Sequence, residues 1–255
     1  MVRVSLVFGE VADVYDDVRP GYRTGIARAI AEHHGGVPAG VLEIGAGTGK
    51  GTEVLLRLGA PVTCLEPDAR MAARLTAKFP QVTIRIETFE QWQPPAGGVP
   101  VIAAALAWHW LDPATRNQRA YAALAPGGTL AAFGHAYGYA DPGQARAIDA
   151  ALRAVDPTVR SRPAAWLHDD ISGSGLFADV RAEVTSRHLP MSTERYLRLI
   201  GTFGPFRTRT AEQQTRGLDA VGALVDGFGG TVVLDVRTTL VLARRRVVDS
   251  HTSAA

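Results

Sequence analysis

The sequence predicts an α/β fold: a seven-stranded, mostly parallel sheet with an antiparallel last strand, helices on both faces and helical lid insertions. Three observations predict it. Apolar runs of strand length alternate with helical stretches up to Phe133, and such alternation builds a parallel sheet with right-handed crossovers. Glycines crowd the turn after the first run, which reads V-L-E-I-G-A-G-T-G-K-G over residues 41–51. Near the end, a helical stretch is followed by one long apolar run over residues 230–243, placed as an antiparallel strand beside the sixth.

Each element follows from local pattern. After a helical stretch at 24–33, the first strand leads into glycines 45, 47 and 49 and a helix at 52–58. Residues 61–68 form a buried strand ending in Glu66, followed by a helix at 68–78. A third strand at 82–86 and a fourth at 99–107 follow, with Pro100 near the start of the fourth. A helix at 113–124 runs through Ala125-Pro126-Gly127-Gly128, where proline stops the helix and glycine permits reversal, into a fifth strand at 129–133. Residues 136–174 read as helices separated by Asp141-Pro142-Gly143 and Asp156-Pro157. The alternation of Val180, Ala182, Val184 and Ser186 with polar neighbours marks a sixth strand at 177–191. Helices at 193–200 and 211–228 flank the loop at 201–207.

At 255 residues and 46% hydrophobic content, the chain can bury one substantial core plus an insertion. A single domain over 1–255 is expected. Its parts are an N-terminal cap at 1–35, a glycine-loop core at 36–135, a lid at 136–175, C-terminal strands with a helical insertion at 176–246 and a flexible tail at 247–255. Net charge is only +2, and no basic run interleaved with aromatics precedes Arg244-Arg245-Arg246, which argues against a nucleic-acid partner. One cysteine, Cys64, excludes an intramolecular disulfide and reads as a small core residue. No apolar stretch long enough to cross a membrane and no leader-type start is present, so a cytoplasmic protein without a membrane partner is expected, either monomer or homodimer. Arginine outnumbers lysine heavily, since only Lys50 and Lys78 are lysines, and with abundant Ala and Gly this suggests a GC-rich, bacterial genome.

The glycine spacing separates three nucleotide-type loops. A dinucleotide fingerprint starting at Gly45 needs glycine at position 50, where Lys50 stands. A phosphate-binding loop ending in Gly49-Lys50 needs glycine at 44 and a hydroxyl residue at 51, but Ile44 and Gly51 are there. The remaining acid-x-G-x-G-x-G pattern resembles motif I of class I S-adenosylmethionine (SAM)-dependent methyltransferases, with Glu43 as its acid. Glu66 lies 21 positions beyond Gly45 (66 − 45), about where a carboxylate accepts hydrogen bonds from both ribose hydroxyls. The run Trp108-His109-Trp110-Leu111-Asp112-Pro113 and the N-terminal stretch from Phe8 to Tyr22 are similar to those of a small-molecule, trans-aconitate-methyltransferase-like subgroup.

That resemblance implies a Rossmann-like fold, SAM as cofactor with S-adenosylhomocysteine as product, and a small-molecule acceptor. The cofactor residues it implies are Tyr15, Arg19, Glu43, Gly45, Ala46, Gly47, Gly49, Glu66, Pro67, Thr88, Phe89 and Ala107. Arg19 would meet the methionyl carboxylate with its planar fork. Thr88 stands where the family usually carries an acid for the adenine, and either Thr88 or Glu87 takes that place. Tyr22, Trp108, His109, Tyr137, Phe203 and Phe206 would line the acceptor pocket; Tyr15 and Tyr22 would cover the sulfonium or shape that pocket.

A hydroxyl, carboxylic acid or amine acceptor is helped by a base near neutral pKa, which histidine supplies: His109 is the first choice and His135 the second. A carboxylate acceptor needs no base, and His109 would then only orient it. The packing alternative is that the aromatic pair around His109 is ordinary core. Arg207 and Arg209 are candidates to bind an acidic acceptor. No carboxylate cluster or histidine spacing suggests a metal. O- or N-methylation is the leading reading. The alternative keeps the cofactor: a methyltransferase-like protein that catalyses a rearrangement or acts as a binding module. An NAD-dependent oxidoreductase ranks last, because no Tyr-x-x-x-Lys pair exists.

Overall fold

The computed structural model describes residues 6–157 and 162–247. Seven strands form one sheet in the order β3-β2-β1-β4-β5-β7-β6. Strands β1 (Val41–Ile44), β2 (Val62–Leu65), β3 (Thr83–Arg85), β4 (Val99–Ala105) and β5 (Leu124–Tyr139) pair in parallel. Strand β7 (Thr231–Arg245) is antiparallel and lies between β5 and β6 (Phe177–Ser192). The expected sheet, with its antiparallel last strand beside the sixth, is therefore the one observed. The β4–β5 register shifts between Val99 and Val101, at the proline that can give no N–H to the ladder.

The helices are α1 (Ala12–Val18), α2 (Gly25–His34), α3 (Thr52–Leu55), α4 (Ala69–Lys78), α5 (Arg116–Ala123), α6 (Pro142–Val155), α7 (Trp166–Gly173), α8 (Thr193–Ile200), α9 (Gly204–Arg207) and α10 (Ala211–Gly227). Several start at caps legible in the sequence. Asp68 accepts from Arg70 N at α4, Asp141 accepts from Gln144 N ahead of Pro142 at α6, and Thr210 forms a reciprocal cap with Gln213 at α10.

Two apolar layers cover the sheet. Leu42, Ile44, Ile102, Ala104, Leu130 and Ala132 pack on one side, with Leu167 and Ile171 of α7. Val41, Cys64, Val101, Ala103, Ala131 and Phe133 pack on the other, with Ile26 and Ile30 of α2 and Leu75 of α4. Full burial of such a side chain contributes about 1.5–3 kcal/mol. Cys64 is free and buried, as its strand position predicts.

One expectation is corrected. Residues 136–139 are strand rather than helix, because β5 continues past Phe133 and pairs with β7 as far as Tyr139↔Leu234. Strands β5, β6 and β7 are 16, 16 and 15 residues long, against four each for β1 and β2. Their overhang carries Met191, Val232, Leu234 and Val236 into a third apolar cluster with Ile148 of α6, Tyr196 and Leu199 of α8, and Val221 of α10. That cluster stands beside the strand ends where the glycine loop lies. The expected tail from 248 on lies outside the described residues, and no helix among those described is long and apolar enough to cross a membrane.

Candidate active site

The loop after β1 sets the geometry. Gly45, Gly47 and Gly49 all have positive φ, at 62°, 58° and 94°. At Gly45 an added Cβ would come within 2.8 Å of the Ala107 Cβ, and at Gly49 within 2.4 Å of the Phe79 ring. Glycine thus serves the turn and close packing, at Gly45 against the end of β4 and at Gly49 against the C-terminal end of α4. Gly47 N donates to Glu66 Oε2 at 2.8 Å, and Asp68 N donates to Glu66 Oε1 at 2.9 Å. Glu66 is only 6% exposed; burial raises its pKa, and the two amides work against that rise.

A cavity opens beside this loop. Gly45, Ala46, Gly47, Thr48, Lys50 and Gly51 form its floor, and Ala105 and Leu106 its β4 side. His135 and Tyr137 of β5 form a wall, and Tyr15, Arg19, Pro20 and Tyr22 close it from the N-terminal segment. His135 and Tyr137 are two residues apart on one strand, so they face the same side. The His135 ring stacks on Tyr22 at 4.3 Å between centroids, and Tyr22 meets Phe133 edge-on at 4.8 Å. Leu106 holds φ at 54°, a left-handed conformation unusual for leucine, where β4 hands over to the Trp-His-Trp turn.

Three buried polar atoms on this lining lack a well-formed hydrogen bond: Thr48 Oγ1, which has Asp16 near it, His135 Nε2, on a ring flanked by the Pro20 and Gly21 backbone, and Tyr137 Oη, which has Arg19 near it. Leaving such an atom unsatisfied costs about 1–3 kcal/mol, so their convergence on one cavity fits a polar ligand there. Arg19 adds a cation. Its guanidinium carbon lies 5.0 Å from the Tyr15 ring centroid and 4.7 Å from that of Phe203. Its Nε and Nη2 donate to Thr202 Oγ1 and Thr202 O at 2.9 and 2.8 Å.

The N-terminal segment is fastened over the cavity by charge. Glu10 pairs with Arg207, Asp13 with Arg74, and Asp17 with Arg195 and Arg198. Asp16 meets Lys50 at 3.7 Å and Lys78 at 2.6 Å, so both lysines of the chain converge on it. Against the effect of burial, Lys78, Thr48 and Lys50 hold Asp16 below the usual carboxylate range.

The other expected residues are distributed unevenly. Glu43 lies beneath the loop, fully buried, where its Oε2 accepts from Thr52 Oγ1 at 2.5 Å and its Oε1 has no partner. Burial raises its pKa to about 7. It supports the loop and α3 and does not line the cavity. Thr88 N and Oγ1 both donate to Gln91 Oε1, Glu87 pairs with Arg85, and Phe89 is 3% exposed against Trp92. Glu66, Thr88 and Phe89 follow β2 and β3, side by side, because Glu66 N donates to Arg85 O at 3.1 Å.

His109 stands apart from the cavity lining, in the single turn Trp108–Trp110, with its ring 4.6 Å from Trp110 and 6.4 Å from Trp166. Burial, then Arg162, Arg116 and Arg19, lower its pKa to about 3. For His135, burial and then Arg187 lower the pKa to about 4, partly offset by the Pro20 and Gly21 backbone. Neither histidine lies near the neutral pKa expected of a general base; both are neutral at pH 7. Trp108 is core rather than pocket wall, 2% exposed with its Nε1 donating to Asp170 at 2.8 Å. Phe206 is likewise core, 3% exposed against Gly217. Arg207 and Arg209 are committed to Glu10 and Asp156.

Sequence reasoning missed Thr48, Lys50, Leu106 and Thr202. Thr48 and Lys50 lie within the loop motif, where the glycines drew attention first. Thr202 lies in the loop at 201–207, where Phe203 and Phe206 drew attention instead, and Leu106 carries no local signal. Among the described residues no group of three or more His, Cys, Asp or Glu side chains is placed to hold a metal ion.

Residues 41–128 match the family model of a methyltransferase domain. Over 127 residues the chain is 35% identical to an uncharacterized methyltransferase of Mycobacterium tuberculosis, covering 50% of this chain and 51% of that one. Over 113 residues it is 34% identical to a trans-aconitate 2-methyltransferase of Rhizobium meliloti, covering 43% and 44%. The matches thus span about half the length of these curated relatives. Among solved structures, a proposed type II methyltransferase from Anaeromyxobacter dehalogenans superimposes with a TM-score of 0.64 at 20% identity, covering 89% of this chain and 97% of that one. The [4+2]-cyclase SpnF superimposes with a TM-score of 0.54 at 14% identity, covering 96% and 94%. A phosphoethanolamine N-methyltransferase of Haemonchus contortus, bound to phosphomonomethylethanolamine and S-adenosylhomocysteine, does so at 0.55 and 12%, covering 94% and 58%. At these identities the likeness is one of fold.

Proposed function

We propose SAM-dependent methyl transfer to a small-molecule acceptor for this chain, whose residues 41–128 match a methyltransferase domain and whose fold is that of solved methyltransferases. The observation that carries this reading is the convergence of Thr48 Oγ1, His135 Nε2 and Tyr137 Oη, none with a well-formed hydrogen bond, on the cavity beside the glycine loop. The donor set fits the cofactor. Glu66, held by Gly47 and Asp68, would accept the ribose hydroxyls; Pro67, Thr88 and Phe89 would frame the adenine; the backbone of Gly45, Ala46, Gly47 and Gly49, with Ala107, would follow the methionine part. Bound there, SAM supplies an electrophilic methyl carbon on its sulfonium, open to in-line displacement.

The chain's own residues then position the acceptor and exclude water. Tyr15, Arg19 and Tyr22 close the cavity from above; Tyr137 on its lining, backed by Phe203, would face the acceptor. His135 is favoured over His109 as the polar contact to the acceptor, because it lines the cavity and its Nε2 lacks a well-formed hydrogen bond. Its Nδ1 lies 2.9 Å from Thr238 Oγ1, and the Pro20 and Gly21 backbone flanks the ring, so the side chain is held in place against the cavity. With a pKa near 4 it orients a hydroxyl or amine by hydrogen bonding, and is too weak a base to hold the proton at neutral pH. A carboxylate acceptor needs no base at all. O- or N-methylation remains the leading reading.

A second reading rests on the same weak base and on the fold shared with a cyclase: bound SAM would serve as structure while the cavity performs a rearrangement. Calorimetric titration with SAM and S-adenosylhomocysteine, with Glu66→Ala as control, tests the cofactor. Release of S-adenosylhomocysteine across an acceptor panel then separates the two readings. A folded protein that binds neither nucleoside would overturn both.

A further inference from the structure

We propose that Thr202 is the positioning residue that aims Arg19 at the anionic end of the bound cofactor, an inference that rests on the SAM reading above. Arg19 is half-buried on the cavity lining, and among the described residues no carboxylate pairs with it. The four acids of its own segment are committed elsewhere: Glu10 to Arg207, Asp13 to Arg74, Asp16 to Lys50 and Lys78, and Asp17 to Arg195 and Arg198. A desolvated guanidinium left without a counter-ion on a ligand cavity calls for an anion from the ligand, and a carboxylate matches its fork.

What holds that fork in place comes from 183 residues away. Thr202 is fully buried in the turn after α8. Its hydroxyl donates to Leu199 O at 2.6 Å, which directs an oxygen lone pair at Arg19 Nε. Its carbonyl accepts from Arg19 Nη2. The carbonyls of Leu199 and Thr202 also place the negative end of α8 near the guanidinium, which favours the cation without neutralising it. The rings of Tyr15, Phe203 and Tyr137, at 5.0, 4.7 and 5.9 Å, restrict the remaining rotation. Two directional bonds and three ring faces fix one orientation for a side chain that otherwise has four free torsions. The unpaired charge is thereby kept on the cavity side of the N-terminal segment.

Thr202→Val keeps shape and volume and removes only the hydroxyl; Thr202→Ser restores it. The test compares binding of S-adenosylhomocysteine, which carries the amino-acid carboxylate, with binding of 5′-methylthioadenosine, which lacks it. The expected result is a loss on the order of tenfold for S-adenosylhomocysteine in Thr202→Val, less than twofold for methylthioadenosine, and recovery in Thr202→Ser. In an Arg19→Ala background the Thr202→Val effect should vanish. Equal weakening of both ligands, or unchanged S-adenosylhomocysteine binding, would overturn the positioning role. If the valine variant does not fold, Thr202→Ala carries the same comparison. Failure of the unmodified protein to bind either nucleoside would instead overturn the SAM reading and this inference with it.

Discussion

Glu66 Oε2 accepts the backbone N–H of Gly47 at 2.8 Å, which joins the end of β2 to the glycine loop after β1. Because the other carboxylate oxygen accepts Asp68 N at 2.9 Å, both oxygens face donors. A glutamine there satisfies one amide and turns its own N–H groups at the other. Glu66→Gln should therefore destabilise the protein nearly as much as Glu66→Ala, by about 1–3 kcal/mol, and both should weaken S-adenosylhomocysteine binding at least tenfold. Denaturant unfolding and calorimetry check the two parts. A glutamine variant as stable as the parent would contradict the double-acceptor geometry.

The histidines set a second expectation. Folded pKa values of about 3 for His109 and about 4 for His135 lie below the ordinary value of 6.5. Between these limits the unfolded chain binds more protons than the native one, so stability falls as pH drops from about 6.5 towards 4. His135→Phe keeps a ring for Tyr22 to stack on and removes the titration. Its Tm should fall less between pH 7 and pH 5 than that of the parent. An equal fall would place the acid sensitivity elsewhere.

Glu43 works in the opposite direction. Its folded pKa of about 7 is above the ordinary 4.5, so the native state holds a proton that the unfolded chain releases. Stability from this group is present below about pH 4.5 and is lost as pH rises through 7. Glu43→Gln should flatten the decline in Tm between pH 6 and pH 8.5. A decline as steep as the parent's would show that Glu43 is already ionised in the fold.

The ring of ion pairs around α1 predicts a salt response. Each exposed pair contributes about 0–1 kcal/mol, and at 1 M salt the screening length shrinks to about 3 Å. Amide exchange in residues 12–18 should accelerate in 1 M NaCl, while exchange in α10 should change little. Parallel acceleration of both would mean that salt acts on the whole fold.

Sheet order and the glycine loop were legible in the sequence because both rest on local pattern: period, punctuation by glycine and proline, and an acid at a strand end. Residues 136–139 were misread because alanine, glycine and tyrosine there carry no period, and the strand exists through its pairing with β7 about a hundred residues on. The bond between Arg19 and Thr202 is invisible for the same reason: neither residue is unusual in its own neighbourhood, and only the folded chain brings them together. The pKa of each candidate histidine was not legible, because it is set by environment. Burial and nearby arginines decide a histidine's pKa, and neither can be read from its sequence position.

The place of β7 between β5 and β6 bears on the order in which the molecule can assemble. During synthesis β5 and β6 emerge first, and each must wait with an open edge for a partner made later. Until β7 arrives, His135 and Tyr137 stand on an unsupported strand, and the turn bearing Thr202 belongs to a segment not yet docked on the sheet. Long-range pairing of this kind slows folding and leaves strand edges exposed to other chains. Ligand-binding competence should therefore emerge as the final step of maturation, together with β7 rather than with the glycine loop.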